Sequence, residues 1–351
     1  MVIGYDRLAR RMAARGHTLE IVPPEAIRPG LSPRLHPIVL PLLVRRWLAR
    51  RKDLDLVIFH SYTGWLAARP RAATRMVTAF HGFEPLFHEA LAAETRRRGG
   101  SLSARYELMY GRLMPHMLRR ACRRSDLVLC LNGDERDALV EGGYAPASKI
   151  ALGWHDAPSA FFQPHTYRDR ATTVLCVMQW LPTKGTAYLV DAFSSLAAAH
   201  PDLRLVVAGS LVSEEDVCSE FPEALRSRVT VYPRFDPAQH RALLAAADIF
   251  LHSSLSEGFS RAVIEAMASG LPVVTTRTGF AVDRLTDGAD ARIVPVADPA
   301  ALARAAGALI DDRAAREALG LAAQAHASTL RAADGTGAQV ALFEQLVAAA
   351  A

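Results

Sequence analysis

The sequence predicts an α/β protein built on two doubly wound parallel sheets, and three observations carry that expectation. Strand-like runs alternate with helix-like runs through both halves, the pattern of parallel sheets covered by helices on both faces. The 351 residues suffice for two domains of ordinary size, and 50% hydrophobic against 22% charged residues provides ample core. Between the halves, Pro158 to Pro164 and the polar stretch Thr166 to Thr173 break the alternation and mark a linker. Domains over 1–166 and 167–336 follow, with 337–351 as a terminal helix.

In the first half, Asp53 to Ser61, Met76 to Phe80 and Asp126 to Asn132 are strand candidates. In the second they lie near Val174 to Val177, Arg204 to Ala208, Val229 to Tyr232, Ile249 to His252, Pro272 to Thr275 and Arg292 to Val296, with helices between. No internal repeat or long low-complexity tract interrupts them.

Composition excludes several classes. No apolar run approaches the roughly 18 residues that span a bilayer, since Ile38 to Val44 is broken by Pro41 and followed by Arg45 and Arg46. The start, Met1-Val-Ile-Gly-Tyr-Asp-Arg, lacks the charged-then-apolar order of a secretory signal. Cys122, Cys130, Cys176 and Cys218 show neither paired spacing nor nearby histidine clusters, which predicts reduced thiols, a cytoplasmic protein and no structural metal.

Charge is uneven. Residues 1–170 carry 27 Lys+Arg against 16 Asp+Glu, and residues 171–351 carry 14 against 20. The basic-apolar stretches Pro37 to Lys52 and Arg96 to Arg124 suit an anionic membrane surface, and equally suit ordinary flanking helices with solvated arginines. Nucleic acid is disfavoured, because the chain has no binding motif and only 7% aromatic residues.

The sharpest chemical signal lies between Ser254 and Gly270, where Glu257 and Glu265 stand eight positions apart around an apolar helix start. Ala262, Val263, Ile264, Ala266 and Met267 leave that helix almost no polar face, so Glu265 inside it needs a partner from elsewhere. The helix start follows a strand and points its N–H groups into the crevice beyond the strand's carboxyl end, where phosphates bind. Amides near Gly258, Phe259 and Ser260 would meet a diphosphate, and Glu265 could accept two ribose hydroxyls. The alternative is that Glu257 caps the helix and Glu265 pairs with an arginine of another element. Upstream, Lys184-Gly185 sits in the loop between a strand and a helix. Lysine occurs only at Lys52, Lys149 and Lys184, so this compact cation beside a glycine could reach a phosphate, or be a solvated loop residue.

Lys184-Gly185, the Glu257 to Glu265 spacing with its Glu-Gly-Phe start, Gly270-Leu-Pro-Val-Val and Gly279-x-x-x-Asp283 resemble the retaining glycosyltransferases of GT-B fold, family four. Asp53 to Ser61, Thr78-Ala-Phe-His81-Gly82, Asp126 to Asn132 and Ala246-Ala247-Asp248 resemble the family's landmarks in their usual order. The resemblance implies two Rossmann-like domains facing each other across a cleft, with the last helix returning to the first domain. It implies a cytoplasmic, metal-independent transferase that moves a hexose-type sugar from a nucleotide diphosphate sugar to a glycan, lipid or small-molecule acceptor, with no cofactor. Rival readings are an epimerase or hydrolase of the same fold and a non-catalytic scaffold.

By resemblance, Lys184, Glu257 and His81 are the catalytic residues, and Gly258, Phe259, Ser260, Glu265, Gln179 and Gly4 bind the donor. His81, beside Gly82 at a strand's carboxyl end, is otherwise a core or turn histidine. This chain departs from the family pattern at Gln179, where arginine is usual, at Ser260 and Arg261, where glycine and an apolar residue are commoner, and at His155-Asp156. Gly4 to Arg10 looks like the end of a glycine-rich loop and its helix, and Gly16 to Val22 like the second strand, so the first strand is missing. A start codon lying upstream is the expectation that fits.

Overall fold

A computed structural model describes residues 3–32 and 35–349, which divide into two compact units. The first comprises Met1–Glu89, Gly99–His155 and Asp334–Ala351, and the second Ala90–Arg98 and Asp156–Ala333.

The first unit holds a parallel sheet of four strands in sequence order, β1 (Leu56–His60), β2 (Arg75–Ala79), β3 (Leu127–Cys130) and β4 (Ile150–Leu152). Period-two alternation sends Val77, Leu127 and Leu129 towards one face, where Leu8, Met12, Val340 and Phe343 cover them. Val128 and Cys130 face the other side, against Phe80, Met114, Leu118 and Leu139. Helix Ile3–Ala13 thus packs beside the last helix, Gly335–Ala348, over one sheet face.

Gly4 stands in the first turn of the helix Ile3–Ala13, where backbone N–H groups have no partner within the helix. One amino-terminal expectation is corrected here. Residues 17–23 form no strand: β1 stands at the sheet edge, and among the described residues no strand lies beside it for Gly16 to Val22 to join. A strand exists only through its neighbour's hydrogen bonds, so an apolar alternating run without one stays irregular.

The second unit contains all six expected strands: β5 (Thr173–Val177), β6 (Arg204–Ala208), β7 (Val229–Tyr232), β8 (Ile249–His252), β9 (Val273–Thr276) and β10 (Arg292–Val294). They are parallel in the order β10-β9-β8-β5-β6-β7. Chain direction across the sheet reverses between β5 and β8, so the loops leaving these two neighbours diverge and open a crevice there.

The division falls after His155, where the sequence pointed to 166. Segment 156–172 is tied to the second unit by Tyr167, whose hydroxyl donates to the Gly270 carbonyl at 2.7 Å, and by Gln324, which donates to the Gln163 carbonyl at 2.9 Å. Residues Ala90–Arg98, ending the helix Glu84–Arg97, group with the same unit, where the Tyr188 hydroxyl donates to Glu94 at 2.6 Å. At the carboxyl end, Asp334 accepts from the Gly337 amide at 3.2 Å and caps the last helix, placing 334–336 with the first unit.

Candidate functional site

The loops leaving β5 and β8 are stitched together by the backbone. Ser253 Oγ donates to the Lys184 carbonyl at 3.0 Å, and the Leu255 amide to the Thr183 carbonyl at 2.8 Å. Gly185, at φ +69°, makes this approach possible, since a Cβ there would lie 2.0 Å from the Ser253 carbonyl oxygen.

This stitching brings Lys184 to Glu257: Nζ stands 2.7 Å from Oε1. His252 Nε2 lies 3.3 Å from the same oxygen, and His252 Nδ1 is 3.0 Å from Thr275 Oγ1 at the neighbouring strand end. The Thr275 hydroxyl donates to the Thr276 carbonyl at 3.1 Å, and the ionised Glu257 carboxylate only accepts, so the Nε2 contact is a hydrogen bond in the form that carries a proton on Nε2. Burial pushes the Glu257 carboxyl up, but the His252 hydrogen bond and the Lys184 charge outweigh it and hold the group at about 2. Glu257 is therefore ionised at neutral pH. It is not a helix cap, because Ser260 occupies that position.

Gly279 closes the turn from below. It adopts φ +54°, and a Cβ there would meet Glu257 Cβ at 2.7 Å and Ser260 Oγ at 2.8 Å. The Phe280 amide donates to the Phe259 carbonyl at 3.0 Å, and the two rings pack 5.0 Å apart. Ser260 is left-handed at φ +64°, and its buried hydroxyl has no hydrogen-bond partner.

Glu265 is buried, as expected, yet the helix Arg261–Ala268 does supply a partner. Arg261, one turn earlier, donates to its Oε1 at 3.2 Å, which corrects the expectation that its partner must come from elsewhere. His240 Nδ1 stands 3.9 Å from Oε2, between the rings of Phe161 and Phe235. Burial, then Arg261 and Arg241, hold His240 at about 4, so it is neutral at physiological pH and forms no ion pair with Glu265. Gln179 lies exposed in the loop after β5. The structure thus gathers Lys184, Glu257, Gly258, Phe259 and Ser260 into one site, with Glu265 a turn further along the helix.

His81 belongs to the first unit. It follows β2, is exposed, and stacks on His60 at the end of β1 with ring centroids 4.8 Å apart, while His155 lies 6.4 Å away on its other contact. Gly82, at φ +147°, admits Phe87, which a Cβ would approach to 2.4 Å. Burial and the neighbouring His81 charge lower His60 to about 4. Sequence reasoning missed two carboxylates of this unit: buried Glu135 accepts from the Phe83 and Leu131 amides, each at 2.8 Å, and half-buried Glu84 accepts from the Ser61 hydroxyl. It also missed His252, whose signal was a histidine ending a buried strand five residues before Glu257. Among the described residues, no group of three or more metal-ligating side chains could hold a metal ion, and no helix is long and apolar enough to cross a membrane.

Two parallel-sheet α/β units, the second with a lysine–carboxylate pair at its switch point, define a GT-B protein. The family model for Glycosyltransferase Family 4 matches residues 3–152, and that for Glycosyl transferases group 1 matches residues 159–326. The chain belongs to the family-four glycosyltransferases. It is 27% identical over 244 residues to a component of the phosphatidylinositol N-acetylglucosaminyltransferase of Arabidopsis thaliana, covering 65% of this chain and 53% of that protein. The chain spans about half the length of the curated relatives it matches. Its fold is similar to sucrose-phosphate synthase from Thermosynechococcus elongatus, at a TM-score of 0.77 and 19% identity over 99% of this chain and 93% of that one. Anabaena HepE, in complex with UDP and glucose, gives a TM-score of 0.65 at 20% identity over 87% and 81% of the two chains.

Proposed function

We propose that this chain is a retaining, metal-independent glycosyltransferase of the cytoplasm that moves a hexose-type sugar from a nucleotide diphosphate sugar to a glycan, lipid or small-molecule acceptor. The observation that carries the reading is the Lys184–Glu257 pair at the switch point of the second sheet. An arriving donor offers each partner a substitute: diphosphate oxygens for the Lys184 ammonium and sugar hydroxyls for the Glu257 carboxylate. The pair then opens without leaving a buried charge uncompensated.

In the reaction, the bond from the anomeric carbon to the diphosphate oxygen breaks and its electron pair stays on the diphosphate. Lys184 and the backbone amides around Phe259 and Ser260 meet that growing charge, so no metal ion is needed in this scheme. The acceptor oxygen bonds to the anomeric carbon on the same face, and its proton passes to the departing phosphate oxygen. Glu265 receives the ribose hydroxyls, releasing Arg261, whose exposed side chain is readily solvated. The solved HepE complex holds UDP and glucose, and the Arabidopsis relative is named for transfer of an aminosugar, both of which support a nucleotide-sugar donor.

Thermal shift and calorimetry with UDP-, GDP-, ADP- and TDP-sugars test the reading, followed by transfer to offered acceptors. One nucleotide class is expected to stabilise the chain. Absence of binding to all four removes the proposed function, and donor hydrolysis without transfer to any acceptor assigns a hydrolase instead.

A further inference from the structure

The helix Pro237–Ala246 carries a polar side chain where packing asks for an apolar one. Asp236 caps its start by accepting from the Ala238 and Gln239 amides, each at 2.8 Å, which fixes the first turn. The helix buries His240 and, one turn later, Leu244. His240 is 6% exposed, with the rings of Phe161 and Phe235 centred 5.2 and 4.7 Å from its own. Phe161 ends the turn Ser159–Phe161, which also packs on the helix Arg261–Ala268 that carries Glu265. A second leucine would fill the same space without desolvating an imidazole.

Packing therefore does not account for the histidine. Its Nε2 is buried and has no hydrogen-bond partner among the described residues, while Nδ1 faces Glu265 Oε2 at 3.9 Å. A neutral imidazole carries one N–H, and the proton is better placed on the nitrogen that faces a carboxylate. Glu265 thus has Arg261 on Oε1, at 3.2 Å, and an imidazole N–H ahead of Oε2. The two partners differ in one respect. The Arg261 side chain is 47% exposed, so water can take the place of Glu265 around it, whereas His240 is enclosed.

We propose that His240 is a positioning residue for the donor: it holds Glu265 Oε2 once ribose hydroxyls displace Arg261, and so makes the chain select ribonucleotide over deoxyribonucleotide donors. This assignment rests on the ribose-accepting role proposed for Glu265 and names the class of nucleotide that role selects. A carboxylate offers about four lone-pair sites, enough for the 2′- and 3′-hydroxyls and one imidazole N–H together. A shift of about 1 Å brings Nδ1 and Oε2 within hydrogen-bond distance. The last torsion of a glutamate is broad, so an unheld carboxylate turns, and a held one keeps both hydroxyls in register.

Calorimetric titration of the full chain with UDP, GDP and ADP, each beside its 2′-deoxy form, tests it. For the nucleotide that binds, the ribo form is expected to bind at least about tenfold tighter, which one hydrogen bond to a charged group supports. His240→Leu should shrink that ratio by at least about threefold, because members of one hydrogen-bond network couple. Its melting temperature should hold or rise, since leucine keeps the packing and removes an unpartnered nitrogen. His240→Asn places an amide N–H near the position of Nδ1, so it should restore the ratio while lowering the melting temperature, the reverse of what a packing role predicts. An unchanged ratio in His240→Leu, or a ratio in His240→Asn no better than in His240→Leu, overturns the proposal. A wild-type chain that binds ribo and deoxy forms alike overturns it too, by removing the ribose role of Glu265. Absence of binding to every nucleotide removes the proposed function along with it.

Discussion

Ser260→Gly should stabilise the second unit while weakening its hold on a nucleotide sugar. Two unfavourable features coincide on this side chain: a left-handed backbone at φ +64° and a buried hydroxyl without a hydrogen-bond partner. The first costs about 1 kcal/mol for a residue with a Cβ, and the second about 1–3 kcal/mol. Glycine relieves both. Against that stand about 0.5–1 kcal/mol of extra unfolded-chain freedom and a similar loss of contact where Oγ fills the space over Gly279. The balance spans about 0–3 kcal/mol of gain, and its midpoint of about 1.5 kcal/mol corresponds to a rise of roughly 3–6 °C in the melting temperature of a unit this size.

Ser260→Ala separates the contributions, because it keeps the strained backbone and removes only the hydroxyl, so it should gain less than glycine does. Calorimetric melting of the three proteins reads the stability. Titration with whichever nucleotide sugar binds reads the function, where an affinity loss of about tenfold is expected if the hydroxyl donates to the ligand. A melting point for Ser260→Gly at or below wild type would show that the strain and the orphan hydroxyl are not costs, and the reasoning would fail. Conserved affinity with a raised melting point would leave the strain intact and remove the role of the hydroxyl.

Lys184→Ala should reduce turnover by roughly a hundredfold to a thousandfold, the loss seen when one group aimed at a developing charge is removed, and far outweigh its effect on unfolding; unchanged steady-state rates would remove the role. Glu265→Gln should weaken donor binding measured by calorimetry, whereas its stability should fall only by about 0.5 kcal/mol, because the Arg261 partner is half exposed; a melting defect with intact affinity would make the acid structural. Glu257 sits at about 2 in the folded chain against an ordinary 4.5, so its stabilisation is present above pH 4.5 and lost as pH falls towards 2. That difference corresponds to about 3 kcal/mol, and urea unfolding of Glu257→Gln should show a correspondingly flatter acid limb; identical slopes for the two proteins would contradict the depressed value.

The second unit was legible because its strands are short apolar runs bounded by breaks, with β8 and β9 buried throughout, so composition separates them from the helices. Gly16 to Val22 shows the limit of that approach. The run reads as a strand by alternation, yet strand formation depends on a neighbour, and β1 is the sheet edge among the described residues. Pro41 was a similar trap, since it broke an apolar run in the sequence but sits in the helix His36–Leu48. There it forfeits the bond to the Pro37 carbonyl in the second turn, and burial of Leu40, Val44 and Leu48 against Phe59 and Met76 carries the helix through.

At the site, spacing revealed which residues meet but not how each is neutralised. Arg261 and Glu265 are four apart, so their pairing is available from helical geometry, even though Ala262, Val263, Ile264, Ala266 and Met267 leave the helix almost no polar face. The Lys184–Glu257 bond was different in kind, because 73 residues separate the partners and only the parallel pairing of β5 with β8 brings their loops together. Charge alone would leave that pair a structural salt bridge. What argues against it is geometry: the chain holds a left-handed serine, a left-handed glycine pressed against a carbonyl and a glycine beneath the carboxylate around one ion pair. A bridge needed only for stability could be formed between ordinary loops, so the strained backbone points to groups held ready for something that arrives from outside.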